Sequence, residues 1–338
     1  MVTLGLSVLA TICWGASLTG DQAAAIAEIE KLGGKVTVDE KNPDRPVIAA
    51  ELPGITDSDL AGLRGLHHIH QLDLGMTKVT DAGMKHLERL TQLQVLVLAG
   101  TDVTDAGVEH LKALAKLQGL ALVGTTVDDV GIGHLKGLTD LKWLLLSETK
   151  VSDDGLKHLE RLTNLQMLDL RGTQVTDEGW KHLKGLRGLQ GLYLSDTKVS
   201  DAGLAYAKEL PALQMLDLRD TQVTDAGLEH LKGITRLRHL LLGKTQVTDA
   251  GLAKLEGLAA LQWLTLSGTR IGNAGVAHLK GLSQLSWLEL RDTEVDDVSL
   301  GHLRGLRRLR SLDLRGTKVT DAGLQMFEQV SPGCYVVR

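Results

Sequence analysis

Two cysteines in 338 residues, Cys13 and Cys334, exclude a disulfide framework and offer no metal-ligand spacing. Proline is scarce and aromatic residues make up only 3%, whereas glycine reaches 38, so this is a chain built on leucine and glycine. No polybasic segment or low-complexity tract occurs. With a net charge of −5 and both signs interspersed, the chain carries no electrostatic footprint for nucleic acid. Catalytic signatures are missing too: no G-x-S-x-G, H-E-x-x-H or P-loop, and no plausible cysteine–histidine pair. The one apolar run, Leu4 to Leu18, is too short to span a membrane comfortably. Its small residues Gly15, Ala16 and Ser17 fit the end of a secretory leader, although no Lys or Arg precedes it. Ile12 before Cys13 argues against a lipoprotein signal. The expectation is a leader over 1–20 and an exported protein; the alternative is an apolar N-terminal helix on a cytoplasmic one.

What is present is a period. The aspartate of V-T-D-A-G-L recurs every 24 residues from Asp81 to Asp321, interrupted once, at Asn273. An L-x-L pair recurs in the same phase from Leu72/Leu74 to Leu312/Leu314. L-x-L is strand alternation, and after the aspartate the spacing becomes helical, as at Met84, Leu87 and Leu90. Thr80 and Asp81 sit where a hydroxyl or carboxylate can cap the helix, which should run about ten residues. Glycines such as Gly137, Gly185, Gly233, Gly257, Gly281 and Gly305 read as left-handed helix ends. Strands stack at about 4.8 Å and helices at about 8–10 Å, so the array should bend with the sheet inside.

The pattern L-x-x-L-x-L-x-x-T-x-V-T-D-A-G-L-x-x-L-x-x-L, clear at Leu165 to Leu186, resembles the leucine-rich repeats. Its V-T-D-A-G-L phrase is similar to the subclass of F-box-type ubiquitin-ligase adaptors and bacterial G-A-L-A-type effectors. The resemblance covers residues 47–338 and implies an α/β solenoid: a right-handed horseshoe with a parallel concave sheet, short convex helices and a cap at each end. Threonine replaces the usual Asn or Cys from Thr77 to Thr317, and should satisfy turn backbone groups by its hydroxyl. The expected organisation is a cap over 21–52 (helix plus β-hairpin), repeats over 53–332 and a capping strand over 333–338. Ile48 and Ala50 lie one period before Leu72 and Leu74 and should start the sheet.

Residues flanking the two leucines point onto the concave wall. There the columns stop repeating, and Trp143, Tyr193, Trp263 and Trp287 fall among them. Trp and Tyr favour the centres of interfaces. Asp169/Arg171, Asp217/Arg219, Glu289/Arg291 and Asp313/Arg315 place opposite charges two apart on one face. With Leu145, Met167, Met215 and His239 these residues form the candidate partner-binding surface. The competing reading makes them side-chain ladders that only shield the sheet, since exposed ion pairs contribute about 0–1 kcal/mol each. Eight histidines share a helical column, from His86 to His302, yet helices about 8–10 Å apart cannot share a zinc whose donors lie about 2 Å away. One aspartate per unit is equally thin for calcium. Trp180 replaces a helical leucine and reads as core. The expectation is a monomeric, non-enzymatic scaffold with no cofactor and no metal, binding a protein or peptide. Alternatives are an F-box-like adaptor or effector, from resemblance alone, and an extracellular module recognising glycans or envelope components.

Overall fold

A computed structural model describes residues 20–338. The apolar run 4–18, and with it the expected leader, lies outside the described residues. Each unit opens with a three-residue strand, as at Trp143–Leu145 or Trp263–Thr265. Fourteen strands form one sheet in strict sequence order. All pairs are parallel except the first, the hairpin of Lys35–Val38 and Val47–Glu51. The two leucines of each L-x-L are buried in one continuous core that extends from Ala25 to Phe327. The alternating residues face the other way, onto the inner wall that the closer spacing of strands dictates.

The helical leg is shorter than expected. From Asp81–Met84 to Asp297–Leu303 the α-helical stretch is four to seven residues, and most units then tighten into a 3-10 turn. The reason is in the spacing: Met84, Leu87, Leu90 and Leu93 recur every three residues, the period of a 3-10 helix, and all are buried. The glycine ends are corrected likewise. Of the six glycines read as left-handed caps, only Gly233 has a positive φ, at 90°. The 3-10 turns instead leave through the next leucine, as at Leu138 with φ −85° and ψ 62°.

The left-handed position lies elsewhere, two residues after the second leucine of each strand. Gly100, Gly124, Gly172, Gly268 and Gly316 occupy it, and so do Met76, Glu148, Asp196, Asp220, Lys244 and Asp292. The threonine that follows closes this turn: Thr77 Oγ1 donates to the Leu74 carbonyl at 2.6 Å, and the bond recurs through Thr317 to Leu314. The hydroxyl thus satisfies turn backbone, as expected, entirely within its own unit.

At the N-terminal end, helix Gly20–Lys31 packs Ala25 and Ile29 into the core. The first parallel register departs from the expected one: Ala50, not Ile48, pairs with Leu72. The turn after Val47–Glu51 is two residues shorter than later ones. A slip of two keeps every side chain on its own face, so the sheet tolerates it. At the other end Val336 pairs with Leu312, one full period on.

Candidate binding surface

The invariant columns are scaffold, by a route the sequence did not suggest. The repeat aspartate does not cap its own helix; it reaches the next one. Asp81 Oδ1 accepts from the Thr104 backbone N–H at 2.7 Å, and Oδ2 accepts from the Thr104 hydroxyl at 2.6 Å. The same two bonds join Asp153 to Thr176 and Asp225 to Thr248. The glycine of D-A-G makes room: a Cβ at Gly107 would lie 2.4 Å from Asp81 Oδ1. The interruption at Asn273 is compensated. There the next cap is Asp296 in place of the usual Thr or Ser, and Asn273 Nδ2 donates to its Oδ1 at 2.8 Å. Ser299, standing where other units have glycine, donates its hydroxyl to Asn273 Oδ1.

The histidine column also bridges units. His110, His182 and His278 pair through Nδ1 with Glu88, Glu160 and Glu256 of the preceding unit at 2.6–2.8 Å. Trp180 is fully buried in the core, its indole N–H without a partner among the described residues.

On the inner wall the aromatic residues fall into separate groups. His239, Trp263 and Trp287 occupy the same register on three adjacent strands. His239 meets Trp263 edge-on at 6.0 Å, and Trp263 stacks on Trp287 at 5.0 Å and 32°. Both indole N–H groups are tied within their own strands, Trp263 to Thr265 Oγ1 at 3.1 Å and Trp287 to Glu289 Oε1 at 2.9 Å. Trp287 ends the stack 42% exposed. Trp143 is four strands before His239 and its indole covers Gly119, where a Cβ would collide with it at 1.9 Å. Leu145, Met167 and Met215 are half-buried between these groups.

The charged pairs divide as well. Asp169 grips Arg171 through Nε at 2.9 Å and Nη2 at 2.6 Å, and Asp217 grips Arg219 with the same distances. Both aspartates are buried, so only the guanidiniums present themselves outward. Hydrogen bonding to the carboxylates raises both arginines further above their ordinary range. Arg171 also lies over the Tyr193 ring, 5.6 Å from its centroid. The expected Glu289–Arg291 pair does not form: Glu289 takes the Trp287 N–H, and Arg291 turns to Asp292 at 3.0 Å. The fourth expected pair, Asp313–Arg315, forms the same bidentate grip.

Between Arg171 and Arg219 the surface sinks into a depression of about 360 Å³, lined also by Ser147, Glu148, Ser195, Asp196 and Asp220. Apart from the two arginines, none of these residues was singled out from the sequence. The available signal was the left-handed column, in which glycine gives way to Glu148, Asp196 and Asp220 with φ of 57°, 58° and 53°. A non-glycine residue held there costs on the order of 1–3 kcal/mol. Among the described residues no group of three or more His, Cys, Asp or Glu could hold a metal, and no helix is long and apolar enough to cross a membrane.

Comparison with known proteins places this architecture. Family models described as leucine rich repeat match residues 259–319, and residues 65–87 and 161–183. None of the curated proteins matches the chain. Among solved structures, an internalin of Listeria monocytogenes superposes with a TM-score of 0.67 at 22% identity, covering 94% of both chains. A chain of the mouse RP105/MD-1 complex gives a TM-score of 0.57 at 20% identity, covering 82% of this chain and 46% of that one. A leucine-rich-repeat protein of Leptospira interrogans gives 0.50 at 18% identity, over 82% and 80%. At these identities the likeness is one of fold.

Proposed function

We propose, from the premise that this chain is a leucine-rich-repeat protein, that its inner wall binds another protein or a peptide. The observation that carries this reading is the His239–Trp263–Trp287 stack. Its rings are fixed by each other and by hydrogen bonds along their own strands, so little side-chain entropy is lost on contact. It ends in an exposed indole, the residue type most often found at the energetic centre of an interface. Leu145, Met167, Met215 and Tyr193 extend the half-buried apolar surface towards Trp143. Arg171 and Arg219, held outward by buried carboxylates, add fixed donors beside it.

The test is selection from a displayed random-peptide library on the full chain, followed by binding to a Trp263→Ala/Trp287→Ala variant. Neither indole belongs to the leucine core, so the variant should keep its thermal midpoint within a few degrees. Losing an aromatic hot spot costs about 2 kcal/mol or more, so selected peptides should bind it roughly thirtyfold more weakly. Equal affinity for both proteins, or no selectable peptide, would overturn the proposal.

A further inference from the structure

The depression between Arg171 and Arg219 has a chemistry of its own. Each guanidinium is already neutralised by a buried aspartate that cannot be left unpaired, so neither offers a free positive charge to an anion. Asp220 is paired with Lys244 at 3.2 Å. Glu148 and Asp196 have no ion pair among the described residues. Glu148 is folded over Gly172, where a Cβ would lie 2.6 Å from its carboxylate. The uncompensated charge of the depression is therefore that of two carboxylates.

A second observation is independent of the acids. Ser147 and Ser195 are 5% and 4% exposed, and both line the depression. Among the described residues neither hydroxyl has a protein hydrogen-bond partner, and neither oxygen is sealed from solvent, so both open onto the depression and are free to accept. The volume lies at the low end of ligand clefts, about 300–1,000 Å³, and suits one side chain rather than a large cofactor. A group that is cationic, donates several hydrogen bonds and is no larger than a side chain meets all these conditions.

We propose that this depression receives a basic side chain, arginine or lysine, of a bound protein partner. The proposal rests on the reading of the inner wall as a protein-binding surface and names what that partner presents. The cation is held by Glu148 and Asp196, with Ser147 and Ser195 accepting from its N–H groups. The outer nitrogens of Arg171 and Arg219 are left to donate to the partner's backbone carbonyls. The depression spans the strands just before the aromatic stack, so one extended segment can engage both.

The test uses the full chain labelled with ¹⁵N at serine, the Ser147 and Ser195 amide signals being assigned with Ser147→Ala and Ser195→Ala. The probe is Nα-acetyl-arginine methylamide, and its citrulline counterpart is the control of equal shape without charge. Both signals should move saturably with the arginine probe and not with citrulline. Two exposed carboxylates each contribute modestly, so Glu148→Gln/Asp196→Asn should raise the dissociation constant roughly fivefold, and salt should weaken binding. No saturable shift with the arginine probe, or an equal shift with citrulline or a methyl glucoside, would overturn the assignment. The Trp263→Ala/Trp287→Ala variant should leave this titration unchanged. Failure here with loss of peptide binding in the tryptophan variant would overturn the basic pocket alone; the converse would overturn the aromatic surface alone.

Discussion

At the scale of single residues, the informative positions are those where a side chain sits in an environment that its repeat does not dictate. His239 is one. Burial against the aromatic stack, and then the charge of Arg238, hold its imidazole below the ordinary value near 6.5. The folded state thus prefers the neutral ring. The stability this contributes is complete above the unfolded value and is lost as pH falls through 6.5 towards the lower folded value. Between pH 7.5 and 5.5 the urea midpoint should therefore fall, and it should fall less in His239→Gln. An identical fall in both proteins would show that His239 does not take part. Its place beside Trp263 provides a second readout, because protonation should alter the tryptophan emission of the parent and leave that of the variant flat. The candidate status of His239, Trp263 and Trp287 was legible in the sequence, since departures from a repeat stand out. Their hydrogen bonds to Thr265 and Glu289 were not, because a column cannot show whether Glu289 turns to an arginine or to an indole.

At the scale of the element, the repeat aspartate is a strut between neighbouring helical legs rather than a cap on its own. Most accept two charge-assisted hydrogen bonds from the next unit, and Asp249, which faces Gly272, accepts one; these bonds couple neighbours directly. Two struts meet a carboxylate, and they solve the problem differently. Asn273 donates to Asp296. Asp105 faces Asp128 with no proton to offer, and burial first, then this neighbour, raise its pKa. A raised carboxylate contributes its stability at low pH and loses it as pH rises through the folded value. At neutral pH Asp105→Asn should therefore stabilise, by about 1 kcal/mol, the worth of one net hydrogen bond. Asn273→Asp should destabilise by a similar amount, and both effects should shrink towards pH 4. Thermal midpoints at pH 7 and pH 4 check this, and a lower midpoint for Asp105→Asn at pH 7 would refute the strut chemistry. The strand, the turn threonine and the place of the helical leg were readable from spacing, whereas the leg's length and its way out were not. The direction of the aspartate was not, because capping its own helix and bracing the next require the same residue at the same offset.

At the scale of the whole molecule, the fourteen-stranded sheet carries two adjoining sectors on one wall. The polar depression lies on the strands from Trp143–Leu145 to Met215–Asp217, and the aromatic stack on those from His239–Leu241 to Trp287–Glu289. A solenoid joins such sectors through nearest-neighbour contacts alone, so a disturbance should decay with distance in units. The C-terminal end tests this. Strand Tyr335–Val337 shields the preceding one, and the Leu314 N–H donates to the Val337 carbonyl at 2.8 Å. Removing residues 331–338 takes away that bond and its neighbours in the ladder. Each is worth about 0.5–1.5 kcal/mol, so amide exchange at Leu312–Leu314 should accelerate roughly tenfold or more. Leu288–Leu290, one unit in, should respond less, and Leu144, seven units in, should not respond. Hydrogen exchange read by mass spectrometry distinguishes the outcomes. Equal acceleration at Leu144 would mean that the array opens as one cooperative body. The two sectors would then be coupled through folding, and a variant in one could weaken the other without touching it.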